Sequence, residues 1–291
     1  MNIANILSIK GVIYMSLKKT LTIAGSDTSG GAGIQADLKT FQEHGTYGMN
    51  ALTVIVTMDP NNNWSHGVHP IPVDTLKTQM TTAFSTGIDA LKTGMLPTAE
   101  IIQAAGEAIA ASGIKDVVID PVMACKGEAE VMFPENVDAM IKYLLPYAKV
   151  VTPNLVEAGE LSRLGRISTV EEMQAAAEKI HENGAKFVVV KGGKQLKHEK
   201  AADLLYDGEK HYLLTAPKTD TNYNHGAGCT FAAAITANIA NGQSVKDAVL
   251  NAKIFVSAAI EHGWKLNEYV GPVMHGAANK FPKTEVEVVE L

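Results

Sequence analysis

In the ten residues from Asn222 to Phe231, NYNHGAGCTF, polar and glycine residues give way directly to a helix, FAAAITANIANG. The first turn of that helix is Gly226-Ala227-Gly228-Cys229. Its side chains are absent or unbranched, and backbone N–H groups without intrahelical acceptors are left to face a ligand. Those donors and the positive end of the helix dipole favour an anion there. The same field stabilises a thiolate, so Cys229 has the attributes of a base beside a seat for phosphate charge, a pairing suited to phosphoryl transfer. A glycine-rich helix start is common and a helical cysteine is often a small buried hydrophobe; the surrounding chain decides between the two readings.

The elements that must carry this turn alternate from Lys18 onward between short apolar runs and amphipathic helical stretches, the pattern of strand–helix units building a mostly parallel sheet. TLTIAG reads as the first strand. It ends in the small-residue loop GSDTSGGAG, and GIQADLKTFQEHG then spaces Ile34, Leu38 and Phe41 along one helical face before Gly45 stops it. NALTVIVT reads as the next strand, followed by MDPNNNWSHGVHP as a long polar connection to the helix VDTLKTQMTTAFSTG. DALKTGM, DVVIDPVM, KVVTPN and FVVVKGG supply four further strand ends, where an open parallel sheet gathers its ligands. ADLLYDGEKHYLLTAP is expected to form a hairpin turning at Asp207-Gly208 on the edge of the sheet. Helices from Gly226 and from about Ser244 complete the core.

With 46% hydrophobic and 19% charged residues, the 291-residue chain has the composition of one large α/β domain. A net charge of -6 disfavours a nucleic-acid partner, which needs a basic surface. Two distant cysteines, Cys125 and Cys229, suggest reduced thiols in a cytoplasmic protein. No apolar run is long enough to span a bilayer, so no membrane partner is expected. Residues 1–14 lack a basic n-region and a cleavage site; they read as an extension without a role, with Met15 an alternative start.

AGSDTSGGAGIQADLKTF, KTGM, DPVM, TPNLVEAGEL, VVVKGG and NHGAGCTFAAAI follow one another at strand ends. Together they resemble the hydroxymethylpyrimidine and pyridoxal kinases of the ribokinase-like superfamily, from about Leu17 to at least Gly263. The resemblance implies a ribokinase-like three-layer α/β fold: a mostly parallel central sheet, helices on both faces and a small lid, with residues 15–291 as a single kinase domain. It further implies ATP and Mg2+, a monovalent cation in some relatives, a homodimer, and transfer of the γ-phosphoryl group to a hydroxymethyl on a small nitrogen heterocycle.

Under that resemblance Cys229 takes the alcohol's proton and Gly226, Ala227 and Gly228 receive the γ-phosphate charge. Asn154 and Glu157, three apart at a helix start, are expected to face nucleotide phosphate and metal; a capping box is the alternative use of the same spacing. Lys191 is suited to phosphate charge or, alternatively, to solvent. Gly193, Thr219 and Lys253 complete the implied nucleotide site. Asp120 is implied beside Glu157 at the metal, with an ordinary loop carboxylate as the alternative.

The Gly25–Gly33 loop lacks the Lys-Ser/Thr of a Walker A loop. A dinucleotide reading exists, since a strand precedes the loop and a helix follows. The resemblance instead assigns it to the acceptor pocket, with Gly25 and Asp27 at the heterocycle's polar edge. Met58, His66, Gly94, Met95, Val122 and Cys125 are the other implied pocket residues, with Trp64 and His69 on the same loop as His66. His66 and His69 alone do not make a zinc site. Cys125 lies in MACKGEAEVMF, read as a flap, where addition to an aldehyde substrate competes with a chance position.

Hydroxymethylpyrimidine kinases usually carry a Gln-Asn-Thr-like sequence after the second strand; here it is Val56-Thr57-Met58-Asp59-Pro60. A thioether in place of an amide leaves an aminopyrimidine poorly satisfied and favours a pyridine ring. A vitamin B6 vitamer is therefore the first acceptor and hydroxymethylpyrimidine, or its phosphate, the second. A nucleotide-sensing module without turnover and a dinucleotide oxidoreductase are the readings from other classes.

Overall fold

The computed structural model describes residues 6–9, 12–15, 17–123 and 136–291. Strands β1 (Ile6–Ile9) and β2 (Val12–Met15) pair only with each other, antiparallel, so the second of them runs across the expected boundary after residue 14. The remaining strands are β3 (Lys19–Asp27), β4 (Tyr47–Asp59), β5 (Ser65–Pro70), β6 (Ala90–Thr93), β7 (Val117–Ile119), β8 (Val150–Val151), β9 (Phe187–Lys191), β10 (Ala201–Tyr206), β11 (His211–Ala216) and β12 (Glu287–Glu290). They form one ten-stranded sheet in the order β12-β11-β10-β9-β8-β7-β6-β3-β4-β5. The run from β9 to β4 is parallel throughout, and antiparallel pairs flank it on both sides.

Helices α1 (Gly33–Glu43), α7 (Ala227–Ala240) and α8 (Val245–Glu261) cover one face. The other carries α2 (Val73–Ser85), α3 (Ala99–Ser112), α4 (Asn136–Tyr143), α5 (Leu155–Ser162) and α6 (Val170–Glu182). The two-residue period of the strands divides the core accordingly: Val117, Ile119, Val188 and Val190 pack with the α2–α6 layer, while Val118 and Val189 between them pack with α7 and α8. All six are 0% exposed, and each such burial is worth roughly 1.5–3 kcal/mol. Every residue of α7 from Thr230 to Ala240 is buried, because this helix is wedged between the sheet, α1 and α8. The ribokinase-like three-layer fold is thus the observed one.

Three expectations change. MDPNNNWSHGVHP is not an unstructured connection: β5 pairs antiparallel with the end of β4, Met58 opposite His66, and its mostly polar residues concealed it because an edge strand needs little apolar signal. The hairpin β10–β11 forms and turns at Asp207, whose carboxylate accepts the amides of Glu209 and Lys210. It is not the sheet's edge, since β12 pairs outside β11. On α1 Phe41 is buried as expected, but its buried companions are Ala36, Asp37 and Thr40 rather than Ile34 and Leu38, so a carboxylate faces inward. Among the described residues no helix is long and apolar enough to cross a membrane.

Candidate active site

The carboxyl ends of β3, β6, β7, β8 and β9 open on one edge of the sheet, and the first turn of α7 arrives there from the opposite direction. Two adjoining clefts meet at that turn. The inner one, about 430 Å³, is lined by the residues expected to hold the acceptor: Gly25, Asp27, Met58, His66, Gly94, Met95 and Val122, with Cys229. The outer one, about 620 Å³, is lined by Gly193, Thr219 and Lys253. Asn154, Lys191, Asn224, Ala227 and Gly228 border both. Cys125 lies outside the described residues.

Gly226 caps α7 in the left-handed region, φ 82, which glycine alone adopts without strain. A Cβ there would lie 1.8 Å from the Gly31 carbonyl oxygen, so the turn and the acceptor loop touch backbone to backbone. The first i→i−4 bond of α7 runs from Thr230 N–H to Gly226 O at 2.9 Å. Gly228 and Cys229 precede it, as an anion seat requires. The Ala227 amide, expected to share that role, donates instead to the Asn224 carbonyl at 3.2 Å, which stiffens the turn but removes one donor.

Cys229 borders the inner cleft. The expected resting thiolate is corrected. Burial pushes the Cys229 thiol up to about 12, with Asp37 and Asp120 adding to the rise, against the opposing pull of Lys92. The sulfur therefore carries its proton before substrates arrive; a narrow cleft floor with two carboxylates outweighs the field of one helix end.

Asp27 is organised for a different task from the one expected. Its Oδ1 accepts Ser29 N–H at 2.8 Å and Ser29 Oγ–H at 2.7 Å; its Oδ2 accepts the amides of Gly31 at 3.1 Å and Ala32 at 2.8 Å and stands 2.7 Å from His225 Nε2. These bonds fill the lone pairs of a carboxylate, leaving none for the edge of a heterocycle. Although burial opposes ionisation, the bonds from His225 and Ser29 hold Asp27 far below the usual carboxylate range. Asp27 shapes the loop and ties it to the residue before the anion turn. Sequence reasoning gave His225 no role; its place directly before GAGC was the available signal.

Beneath the junction lies a cluster of buried charge. Asp120 accepts Lys191 Nζ at 2.9 Å and Thr152 Oγ1 at 3.1 Å. Burial would raise Asp120, but Lys191 and Lys92 hold it below the ordinary range. A Cβ on Gly228 would stand 3.5 Å from Lys191 Nζ, which puts that ammonium beside the anion turn. Asn154 and Glu157 form the capping box of α5: Glu157 N–H to Asn154 Oδ1 at 2.9 Å and Asn154 N–H to Glu157 Oε2 at 2.8 Å. Both residues also line the inner cleft, so capping and ligand contact share the same side chains. Burial, reinforced by Asp120 and opposed by Lys191, raises the Glu157 carboxyl to about 7. Lys92 and Asp37, missed in the sequence, form a fully buried pair at 2.9 Å, and Thr22 Oγ1 donates to the same Asp37 oxygen at 2.7 Å. A lysine inside the wholly buried strand ALKT was the signal for them.

The Trp64 and Tyr269 rings stack at 5.8 Å beside Met58 and His66, and both line the inner cleft. His66 and His69 stand three positions apart on β5 and so lie on opposite faces; His69 Nε2 pairs with Thr57 Oγ1 at 3.2 Å. In the outer cleft Lys253 Nζ is committed to Asp203 at 2.7 Å, and Asp203 Oδ1 accepts the Gly192 amide at 3.0 Å. Lys253 thereby supports the turn that carries Gly193.

Among the described residues no group of three or more His, Cys, Asp or Glu side chains converges as a metal cage. Asp120 and Glu157, two buried carboxylates on the cleft wall, fit the needs of Mg2+, which keeps waters and substrate phosphates and takes only one or two protein carboxylates.

The phosphomethylpyrimidine kinase family model matches residues 27–274, and the chain belongs to that family. The pyridoxine kinase of Bacillus subtilis strain 168 is 57% identical over 264 residues, 90% of this chain and 97% of that one. The structure of the pyridoxal kinase from Staphylococcus aureus in complex with AMP-PCP and pyridoxal superposes with a TM-score of 0.90 at 57% identity, covering 95% of this chain and 100% of that one. The hydroxymethylpyrimidine/phosphomethylpyrimidine kinase of B. subtilis is more distant, 42% identical over 264 residues, 90% of this chain and 96% of that one.

Proposed function

We propose that the protein is an ATP-dependent kinase that phosphorylates the 5′-hydroxymethyl of pyridoxal, pyridoxine or pyridoxamine. The observation that carries this is the meeting of an acceptor-sized and a nucleotide-sized cleft at one helix N-terminus, with Lys191 and Gly228 bordering both and Cys229 on the acceptor side. The apolar wall of Val56, Met58 and Trp64 suits a pyridine ring, and the greater similarity to pyridoxine and pyridoxal kinases points the same way. Hydroxymethylpyrimidine is the second acceptor, favoured by the matching family model.

In this reading the outer cleft holds the nucleotide through Asn154, Gly193, Thr219 and the Lys253–Asp203–Gly192 support, with the γ-phosphate pointing to the Gly228 and Cys229 amides. Lys191 balances its charge. Mg2+, held with Asp120 and Glu157, would neutralise the charge that develops on the phosphate oxygens. Cys229, once its own proton has passed to solvent, accepts the alcohol proton as the alcohol oxygen bonds to the γ-phosphorus and the bridging bond to ADP breaks. The alcohol and the phosphate must lie in line for this, which is the purpose of fixing the acceptor loop against the anion turn.

Residues 15–291 would act as one kinase domain in the cytoplasm, as a homodimer, with 1–14 dispensable. ADP release with ATP and each heterocycle in turn tests the assignment; a preference for hydroxymethylpyrimidine, or no turnover with any acceptor, would replace it.

A further inference from the structure

Lys92 has no part in the steps above, yet its position is costly. Its ammonium is sealed from bulk water, 0% exposed, and paired with an equally sealed Asp37. A buried pair of this kind is commonly no more stabilising than apolar side chains of the same volume. The pairing is also incomplete, for Asp37 Oδ1 has no partner among the described residues. Among the described residues Asp37 is the one hydrogen-bond acceptor that Lys92 meets, for an ammonium with three donors.

The geometry places the charge at the site. Lys92 is part of the inner cleft wall, and a methyl on Gly94 would come within 3.2 Å of its nitrogen. β6, which carries it, packs against α7, whose first turn holds Cys229. Lys92 from β6, Asp120 after β7 and Lys191 from β9 line the same cleft as Cys229, and Asp37 from α1 pairs with Lys92 at 2.9 Å. Asp27 of β3 is spent on His225. Of these groups Lys92 gives the largest push toward the thiolate, and Asp37 and Asp120 oppose it. Burial alone would drive Lys92 toward neutrality, but Asp37, Cys229 and Asp120 hold it above the ordinary lysine range, so it remains a fixed cation.

We infer that Lys92 is a positioning residue for the transfer: its buried ammonium is the counter-charge that lets Cys229 exist as a thiolate, and Asp37 sets how much of that charge the sulfur feels. When the alcohol proton passes to Sγ, Lys92 keeps its own protons and only the charge it faces disappears. The inference rests on Cys229 as the base, but it is read from the thiol itself and not from turnover.

The test is the pH dependence of iodoacetamide labelling of Cys229 in a Cys125→Ser protein, with no nucleotide or magnesium present. Asp37→Asn is expected to speed labelling at a given pH by about tenfold, one unit in the thiol pKa, and adding Lys92→Met to it to slow labelling at least as much. The double variant removes both buried charges together and so keeps the test valid if Lys92→Met alone does not fold. Equal rates in Asp37→Asn and Asp37→Asn/Lys92→Met would overturn the inference. Loss of kinase activity in Cys229→Ala reports on the base separately, so failure of one reading is distinguishable from failure of the other.

Discussion

His225 Nε2 stands 2.7 Å from Asp27 Oδ2 across 198 residues of sequence, joining the loop that walls the inner cleft to the turn that opens α7, the proposed phosphate seat. Asp27 in turn orders its own loop through the amides of Gly31 and Ala32. Replacing it with Asn exchanges an acceptor-only group for one that must present a donor to some of those N–H groups. Asp27→Asn is expected to lower kcat/KM by about 10²-fold, the cost of misplacing reacting atoms by an ångström, while His225→Ala lowers it similarly. Steady-state kinetics on both variants check this; wild-type values would mean the strut is decorative.

Gly226 tests the same junction through the backbone. An alanine there needs φ 82 and a Cβ 1.8 Å from Gly31 O, so either the loop or the turn must move. Gly226→Ala should lose at least ~2 kcal/mol of stability in denaturant titration, and most of its turnover with it.

Glu157 gives the pH prediction. Its carboxyl is raised from 4.5 to about 7 in the folded protein, chiefly by burial, so folding favours the protonated form. That contribution is complete below pH 4.5 and is lost as pH rises through 7. Across that window the group should remove on the order of 3 kcal/mol of stability. Glu157→Gln keeps an oxygen for the Asn154 amide and should flatten this part of the stability–pH curve while weakening magnesium-dependent activity. A curve of unchanged slope would contradict the assignment.

How much of this was visible in the sequence depended on the kind of signal. The strand ends were legible, because each parallel strand is a short apolar run closed by Gly, Pro or a charge: TLTIAG, VVID, VVTPN and VVVKGG all lie where they were expected. The start of α7 at Gly226 and the Asn154/Glu157 box were legible because they are local, set by spacings of three or four residues. What depended on contacts between distant segments was not. The Asp27–His225 strut spans nearly the whole chain, Asp37 sat within what read as an apolar helical face, and the raised Cys229 thiol follows from carboxylates on α1 and after β7 that a helix-dipole argument does not count. β5 was hidden by its composition, since a polar edge strand reads as a loop.

In the proposed function Met58 carries the acceptor preference. It lines the cleft together with Trp64 and Tyr269, where an amide would offer both a donor and an acceptor. Met58→Gln should raise the ratio of kcat/KM for hydroxymethylpyrimidine over pyridoxal by about tenfold, the worth of one hydrogen bond. Competition between the two acceptors measures it directly, and an unmoved ratio would place selectivity elsewhere in the cleft.

The most direct measurement is ATP-dependent phosphorylation of pyridoxal by the wild-type protein and by Cys229→Ala, with ATP binding followed in parallel. Turnover by the wild type, a fall of about 10²–10⁴-fold in kcat for the variant and nucleotide affinity changed by less than about threefold are the results expected of a base that touches only the acceptor. A variant that phosphorylates pyridoxal at the wild-type rate would contradict the account.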